Sequence, residues 1–414
     1  MSDTRQQRTY ELVLWGATGF TGKLTAEYLA RHAPEDLRWA IAGRNEGKLK
    51  RVRSELAEIA PRLAELPILV GDSHDRASLA RIAADTAVVC TTVGPYMKYG
   101  KALVEVCVEA GTSYCDLTGE TPFIREMLDL HHAAARESGA RIVHCCGYDS
   151  IPSDLGTFMM QEAAIERFGK PCHLVKNYVG RTRGGFSGGT AASMLTIMEA
   201  AKDSSVRRVL GHPYGLNPKG ERKGPDGSDP KGVSYDPEIP CFTAPFVMAA
   251  INTRIVRRSN ALFDYRYGRS FEYVEKMMMP YSPKGLALAT GLSAGLTGLM
   301  VGLAVPPVRN LIRERFMPAP GEGPSREERE SGYFNHHLFG AAETEDGAQV
   351  FLRGKVVGVN DPGYGETAKM LGESAQCLAR DPLDGDGGVL TPAVAMGQPL
   401  LERLRRAGMT FEVR

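Results

Sequence analysis

The sequence predicts an α/β protein: a Rossmann-type doubly wound parallel sheet followed by a second α+β domain with an antiparallel or mixed sheet. Three observations carry that expectation. Through residue 150, short apolar runs alternate with helical patterns. The first run, Leu12-Val13-Leu14-Trp15, ends in three glycines at three-residue spacing, Gly16, Gly19 and Gly22. After Gly156 the alternation breaks, and apolar stretches return at 245–256 and 348–359. The second of these pairs with 337–342 through Glu345-Asp346-Gly347, a hairpin signal.

The run at 12–15 reads as a buried strand, and Leu24, Ala26 and Leu29 recur beyond it at helical spacing. Strand, tight turn and helix in that order seat a dinucleotide pyrophosphate. Glycine lets the backbone approach the phosphates, and the helix N-terminus offers unpaired N–H groups and the positive end of its dipole. The spacing is G-x-x-G-x-x-G rather than the strict G-x-G-x-x-G, but the motif opens the first strand–helix unit, the context such a turn requires. Gly16, Thr18, Gly19, Phe20, Thr21 and Gly22 are therefore candidate cofactor-binding residues.

A second strand, 39–42, leads through Gly43 to Arg44. An NAD site usually carries Asp or Glu here, whereas arginine suits the 2′-phosphate of NADP. The cofactor expected is NADP; the bland alternative for Arg44 is a solvated surface charge. A third strand, 67–70, closes on Gly71-Asp72. Asp72 either reaches the adenine amino group or caps the helix starting near Arg76. A fourth, 87–90, closes on Thr91-Thr92-Val93-Gly94-Pro95, which places Thr92, Gly94 and Pro95 beside the expected nicotinamide path. A fifth spans 114–117 and a sixth 141–146, with helical patterns at 101–110 and 122–137 between strands. Continuous apolar strands of this kind form parallel sheets covered on both faces, with ligands beyond the strands' carboxyl ends.

Domain boundaries follow from the change of pattern: 1–155 for the dinucleotide-binding domain, 156–360 for a second domain, and 361–414 for C-terminal helices that pack back on the first. In the second domain a helix covers 155–168 and a strand 174–179; a further helix spans 191–202. Residues 211–240, rich in Gly, Pro and charge, read as a long loop or mobile lid. Residues 285–305 carry no charge and reach the ~20 residues needed to span a bilayer core. Glycine and alanine dominate them, with G-x-x-x-G pairs at Gly291/Gly295 and Gly298/Gly302. Lys284 precedes the stretch, and Arg309, Arg313 and Arg315 follow it, with Leu311, Ile312 and Phe316 among them. Two readings stand, a buried helical hairpin and peripheral membrane contact, and the second is preferred.

Composition bounds the rest. The chain has 414 residues and a formal net charge of +1, so no global field points to nucleic acid. The eight cysteines, at 90, 107, 115, 145, 146, 172, 241 and 377, form no C-x-x-C pair and read as free thiols in a reducing compartment. The N-terminus has no apolar signal region. The location expected is cytoplasmic, peripheral on a membrane where 285–305 makes contact. His336-His337 completes no ligand set and reads as a hydrated surface pair, so no metal is expected.

At this point the chain resembles a family. G-A-T-G-F-T-G (16–22), A-G-R (42–44), V-G-P-Y-x-x-Y-G (93–100), Y-C-D-L-T-G-E (114–120) and C-G-Y-D-S-I-P-S-D-L-G (146–156) are similar to stretches of the saccharopine dehydrogenase-like oxidoreductases. S-G-G-T (187–190) and D-P-G-Y-x-x-T (361–367) continue the match. Within that family the chain looks closest to the actinobacterial trans-acting enoyl reductases of polyketide-lipid assembly and to the eukaryotic member associated with lipid droplets. Tyr148 stands where the family usually has phenylalanine. The resemblance implies an NADP-dependent reductase acting on the double bond of an α,β-unsaturated acyl substrate, lipid-derived or carrier-bound, with 155–360 as the substrate domain. Enoyl reduction needs donors for the enolate oxygen and a proton for the α-carbon. Backbone N–H groups of Gly147 to Ser150, the hydroxyls of Tyr96, Tyr99 or Tyr148, and Ser187 or Thr190 are the candidates, with Tyr96 and Tyr148 placed first as catalytic residues. Each tyrosine has packing as its alternative. Two other functions stay open: an imine or carbonyl reductase on an amino-acid-like substrate, gripped by Lys176, Arg181 and Arg183, and a non-catalytic NADP-binding module on a lipid surface. A homodimer is a further expectation.

Overall fold

The computed structural model describes residues 7–184, 188–305, 307–309, 311 and 323–414. The chain divides into two compact units, one holding the residues up to Ile151 together with Gly363–Ala407, the other holding most of Pro152–Pro362 and Gly408–Arg414.

The first unit runs β1 (Tyr10–Trp15), α1 (Phe20–His32), β2 (Trp39–Gly43), α2 (Glu46–Ile59), β3 (Ile68–Val70), α3 (Arg76–Ala84), β4 (Thr86–Thr91), the single turn α4 (Tyr96–Tyr99), α5 (Lys101–Ala110), β5 (Ser113–Cys115), α6 (Thr121–Ser138) and β6 (Arg141–Val143). All pairings are parallel, and the order β3-β2-β1-β4-β5-β6 reverses direction between β1 and β4, the switch point of a doubly wound sheet. Leu12, Val13 and Leu14 are wholly buried, which is why the strands read as unbroken apolar runs.

The second unit begins with α7 (Ile151–Phe168, in this unit from Pro152) and continues with β7 (Leu174–Val179), α8 (Gly188–Ala200), α9 (Ser204–Gly211), β8 (Ser234–Asp236), β9 (Cys241–Pro245), α10 (Ala249–Leu262), β10 (Glu272–Pro280), α11 (Pro283–Ala304), the short α12 (Arg326–Glu330), β11 (Phe334–Glu343) and β12 (Gln349–Gly358). The chain then returns to the first unit as α13 (Gly365–Arg380), β13 (Gly388–Leu390) and α14 (Pro392–Arg406), and ends in the second as β14 (Thr410–Val413). The second sheet is mixed, in the order β14-β12-β11-β7-β10-β9-β8, with β10 parallel to β7 and the other pairs antiparallel.

Several elements differ from the sequence expectation. β13 joins the first sheet beside β6 as a seventh parallel strand, although three residues in a Gly/Asp-rich stretch show no period. The last residues are not helical; β14 pairs with β12 in the second sheet. The stretch 245–256 is not a strand: β9 stops at Pro245, and α10 follows. Its period was masked because Arg254, Arg257 and Arg258 occupy its buried face, at 3%, 5% and 2% exposure. Those arginines also overturn the mobile lid. They donate to the carbonyls of Leu210 (2.9 Å), Pro213 (3.0 Å) and Leu216 (2.7 Å), and Arg254 and Arg257 pair with Asp229 and Asp226, so the loop is tied to α10.

The uncharged stretch forms one helix, α11, not a buried hairpin. Gly285 rests on the Pro280 carbonyl, where a Cβ would lie 1.8 Å from the oxygen, and Ala289 and Leu303 are buried. Leu286, Leu288, Leu292, Leu299, Met300 and Val301 remain exposed. Pro283–Leu303 is long and apolar enough to cross a membrane. Arg309 reaches Glu199 at 3.7 Å, and Leu311 is exposed. Ile312, Arg313, Arg315 and Phe316 lie outside the described residues.

Candidate cofactor and active site

Because the first sheet is parallel, the carboxyl ends of β1 to β6 share one edge, and the candidate cofactor residues follow those ends. At β1 the turn folds on itself: Gly16 N–H donates to the Ala42 carbonyl at 2.9 Å and Gly19 N–H to the Gly16 carbonyl at 3.0 Å. The three glycines have different jobs. Gly16 has φ +89°, and a Cβ there would lie 2.5 Å from Val93. A Cβ on Gly22 would lie 2.1 Å from the Gly16 oxygen. Both are required by the turn itself. At Gly19 the nearest atom would be 3.4 Å away, so its bare backbone faces open space, as a phosphate would need. Gly19 is the N-cap of α1 without a side-chain cap, and the first turn carries no acidic residue, which leaves the helix end to an anion. Thr18, Phe20 and Thr21 complete this turn, and the Phe20 ring meets Tyr364 edge-on with centroids 4.8 Å apart.

Arg44 directly follows β2, is exposed, and makes no ion pair or hydrogen bond among the described residues. Asp72 follows β3; its carboxylate accepts from His74 N–H at 2.8 Å, while the cap of α3 is Asp75. Thr92 follows β4, and its hydroxyl donates to the Gly16 carbonyl at 3.3 Å, tying two of the turns together. Gly94 and Pro95 come next, joined by a cis peptide bond.

The candidate tyrosines fare differently. Tyr96 is 2% exposed, its ring lies by Phe123, and its hydroxyl donates to the Thr91 carbonyl at 3.3 Å; burial pushes that hydroxyl well above its ordinary pKa. Its geometry is that of a core residue. Tyr148 is half-buried in the loop that follows β6, and its N–H donates to Thr367 Oγ1 at 3.1 Å. Tyr99 is half-buried and meets His74 edge-on. Thr190 lies in α8 of the second unit, and Ser187 lies outside the described residues.

Sequence reasoning missed the scaffold of the β5 and β6 ends. Asp116 is fully buried and accepts from the Tyr114 hydroxyl (2.9 Å), from the N–H groups of Thr118 (3.1 Å) and Cys145 (3.2 Å), and contacts His144 Nδ1 at 2.7 Å. Glu120 accepts from the N–H groups of Tyr96 and Met97, both at 2.8 Å. The Y-C-D-L-T-G-E run is thus a brace: its carboxylates hold the loops rather than a ligand. The C-G-Y-D-S loop it supports has the Tyr148 N–H committed to Thr367 and the Ser150 N–H bonded to the Gly147 carbonyl at 3.3 Å. Among the described residues the N–H groups of Gly147 and Asp149 have no such partner, so they are the ones left for a developing oxyanion. Burial pushes the Asp149 carboxyl up to about 7.

In the second unit, Lys176 is already bound by Asp236 (3.2 Å) and Glu238 (2.7 Å), which removes it from any grip on a substrate carboxylate. Arg181 and Arg183 are exposed. His336 is not a hydrated surface residue: it is 1% exposed, and Nδ1 lies 3.1 Å from Asn177 Nδ2. Alternate residues of β11 face opposite sides of the sheet, which separates it from the half-buried His337. All eight cysteines are free and buried.

Residues 12–143 match the saccharopine dehydrogenase NADP-binding domain. A Mycobacterium tuberculosis protein whose name assigns it provisionally to the trans-acting enoyl reductases is 44% identical over 99% of this chain and 98% of its own. A trans-acting enoyl reductase of Mycobacterium bovis is 40% identical over 98% of both chains. Among solved structures, the apo saccharopine dehydrogenase (L-Glu forming) of Saccharomyces cerevisiae aligns with a TM-score of 0.58 over 97% of this chain and 99% of its own; at 12% identity it shows a shared fold.

Proposed function

The chain belongs to the saccharopine dehydrogenase-like oxidoreductases, within their trans-acting enoyl reductase group, and on that footing we propose that it reduces the carbon–carbon double bond of an α,β-unsaturated, carrier-bound acyl substrate with NADPH. The observation that carries this reading is the edge of the first sheet. It joins an open glycine at an uncapped helix start to an unpaired arginine at the second strand end. Gly16, Thr18, Gly19, Phe20, Thr21 and Gly22 would hold the pyrophosphate, Arg44 the 2′-phosphate, Asp72 the adenine side, and Thr92, Gly94 and Pro95 the nicotinamide side. When bound, the cofactor supplies hydride to the β-carbon. This chain's own part is to hold the enolate oxygen, for which the Gly147 and Asp149 N–H groups and the Tyr148 hydroxyl are placed on one loop. Neutralisation of Lys176 by two carboxylates weighs against an amino-acid-like substrate.

Turnover of NADPH with enoyl thioesters, set against keto acids and imines, tests the reaction; oxidation with keto acids alone would reject it. Arg44→Asp should weaken NADPH binding by ~1.5–3 kcal/mol while leaving NADH binding nearly unchanged, through loss of a charge-assisted phosphate contact. Equal affinity of the unmodified protein for both cofactors would remove the assigned role of Arg44. Gly19→Val should leave a folded chain that no longer binds NADPH by calorimetry, because the turn has room for a side chain that the phosphate does not share.

The exposed face of α11 supports peripheral contact with a lipid bilayer. Buried Gly285, Ala289 and Leu303 form one narrow stripe along the helix, so it lies flat on its own unit and offers the rest of its surface. An exposed aromatic group sits at its start: the Tyr281 ring lies 5.0 Å from that of Tyr235 and 5.3 Å from that of Phe242, the residue chemistry of a membrane interface. Lys284 adds a cation there. A lipid-derived acyl chain would meet the protein at such a surface. Sedimentation with anionic liposomes that is lost in Leu288→Asp/Leu292→Asp is the expected result. A concentration-dependent dimer abolished by the same pair would make the face a contact between two copies instead.

A further inference from the structure

Acidic side chains follow several strands of the first unit, and nearly all of them have structural work. Glu46 pairs with Lys50 at 2.7 Å. Asp72 accepts from the His74 N–H at 2.8 Å, and Asp75 caps α3. Asp116 and Glu120 brace the loops after β4 and β5. Asp149, in the loop after β6, makes no hydrogen bond or ion pair through its carboxyl among the described residues. It is half-buried, and neither carboxyl oxygen is sealed from water.

The loop that carries it is held in a defined shape. Cys145 has φ +64°, the left-handed region that a side chain rarely adopts, and it turns the chain sharply out of β6. Its N–H donates to Asp116 Oδ1 at 3.2 Å and its thiol to the Thr118 carbonyl at 2.9 Å, while the Cys146 N–H donates to the Asp116 carbonyl at 2.7 Å. Beyond it the N–H groups of Ser150 and Ile151 both donate to the Gly147 carbonyl, at 3.3 and 3.0 Å, and close a turn. Gly147 is backed by Thr367 and Leu117, where a Cβ would come within 3.2 and 3.3 Å. One braced turn thus carries two N–H groups without partners among the described residues, those of Gly147 and Asp149, together with the Asp149 carboxyl.

No cation pairs with that carboxyl among the described residues. On the loop itself the titratable neighbours are the Tyr148 hydroxyl and the Cys145 and Cys146 thiols, and burial pushes both thiols well above their ordinary range. From the β5 end, Asp116 is engaged by His144 Nδ1 at 2.7 Å. At the start of α13, Lys369 is paired with Glu366 at 2.9 Å. In the first turn of α7, Asp154 is bonded to Ser259 at 2.5 Å. Burial alone therefore sets the Asp149 carboxyl, pushing it up to about 7, so near neutral pH it holds a proton part of the time. Glu275 on β10 is pushed up to about 7 as well, but it lies fully buried in the second unit, where its Oε1 accepts from Ser153 (2.9 Å), Asn252 (3.1 Å) and Asn177 (3.3 Å).

We propose that Asp149 is the catalytic acid: its carboxyl gives the proton that forms the α C–H bond, while the Gly147 and Asp149 N–H groups hold the enolate oxygen. The proposal rests on the enoyl-reductase reading and names the proton donor for it. In an enolate the oxygen and the α-carbon are separated by a single carbon. The N–H and the carboxyl of one aspartate are likewise only a few bonds apart, so one residue can address both ends. As hydride forms the β C–H bond, the π bond breaks and its electron pair moves into the enolate. The Asp149 O–H bond then breaks, and its proton takes the enolate pair at the α-carbon. The carboxylate left behind recovers a proton from water, which its unsealed oxygens allow. Hydride plus one proton from solvent account for both new bonds.

Two measurements on the full chain test it. Infrared difference spectra of the unmodified protein against Asp149→Asn, recorded without substrate, separate this carboxyl from that of Glu275. A protonated band that titrates near neutral pH is expected, and its absence overturns the assignment whatever the reaction is. Steady-state rates with NADPH and a short enoyl thioester should fall about 100-fold in D149N, with NADPH affinity unchanged. The unmodified protein should lose kcat as pH rises through about 7, and D149N should show no such limb. Asp149→Glu should regain part of the rate together with the limb, which a merely structural role would not restore. A D149N rate close to that of the unmodified protein, or an alkaline limb that persists in D149N, overturns the assignment. Rate loss confined to Tyr148→Phe also overturns it and gives the proton to the phenol. A titrating band in a protein that reduces no enoyl thioester rejects the reaction, and the role of Asp149 falls with it; enoyl reduction that survives D149N rejects the role alone.

Discussion

Two helices of the second unit invert the usual relation between composition and burial. α10 carries Arg254, Arg257 and Arg258 within five residues, and nearly all of it is buried. α11 has no charged residue after Lys284, and most of its large side chains are exposed. The difference is what each helix finds across from it. Each α10 arginine has a carbonyl or carboxylate waiting in the 210–230 loop, so its desolvation is offset by several hydrogen bonds. α11 meets its own unit along one narrow stripe, and among the described residues most of its large side chains stay exposed. Burial here follows pairing rather than hydropathy.

The sharpest way to break this comparison is to remove one partner. Arg257→Ala strands Asp226 and frees the carbonyls of Pro213 and Tyr273, and it should cost about 3–5 kcal/mol in urea unfolding of the second unit. A cost below 1 kcal/mol would mean that the loop's anchoring lies elsewhere.

Glu275 and His336 extend the comparison to buried groups without a charge partner. Glu275 is raised from 4.5 to about 7, so its stabilisation is full below 4.5 and is lost as pH rises through about 7. His336 is lowered from 6.5 to about 3, so its stabilisation is full above 6.5 and is lost as pH falls through about 3. Asp149 in the first unit, raised from 3.8 to about 7, adds a slope of the same sign as that of Glu275. Between pH 4.5 and 6.5 these two together exceed the opposing His336 slope, and stability should fall by about 2–3 kcal/mol. In Glu275→Gln the Asp149 and His336 slopes oppose, and stability should be nearly flat across that window. A climb in the variant would show that Asp149 titrates normally, and a fall that His336 does.

The smallest effect belongs to α11. Leu288→Asp and Leu292→Asp should each change unfolding free energy by less than about 0.5 kcal/mol, because neither leaves a cavity nor buries a charge. A larger loss would show that the face is covered in solution, and the same samples examined for dimer content would say by what.

Much of the layout of the strand ends was legible. Gly16, Gly19 and Gly22, Arg44, Asp72 and Thr92 each sit at a strand end, and strand ends announce themselves by the switch from apolar to glycine-bearing sequence. Which glycine is fixed by the turn and which faces open space was not legible, because that depends on what surrounds each missing Cβ. Tyr96 illustrates the same gap. Its place in V-G-P-Y fitted a catalytic role as well as a core one, and only its contacts with Phe123 and the Thr91 carbonyl distinguish them. Glu275 carried no signal, since its partners Ser153, Asn177 and Asn252 come from three separate elements.

By itself the sequence determined the alternating strands and helices of the first unit, the β11–β12 hairpin, the glycine turn and the family, because each is written in periods and spacings of a few residues. Tertiary structure decided that β13 completes the first sheet, that β14 leaves it for the second, that three arginines go inside while an uncharged helix stays out, and that a lone glutamic acid is sealed among neutral partners. Those outcomes turn on which distant groups meet, and the free energy of burying a charge or exposing a leucine belongs to the meeting rather than to the residue.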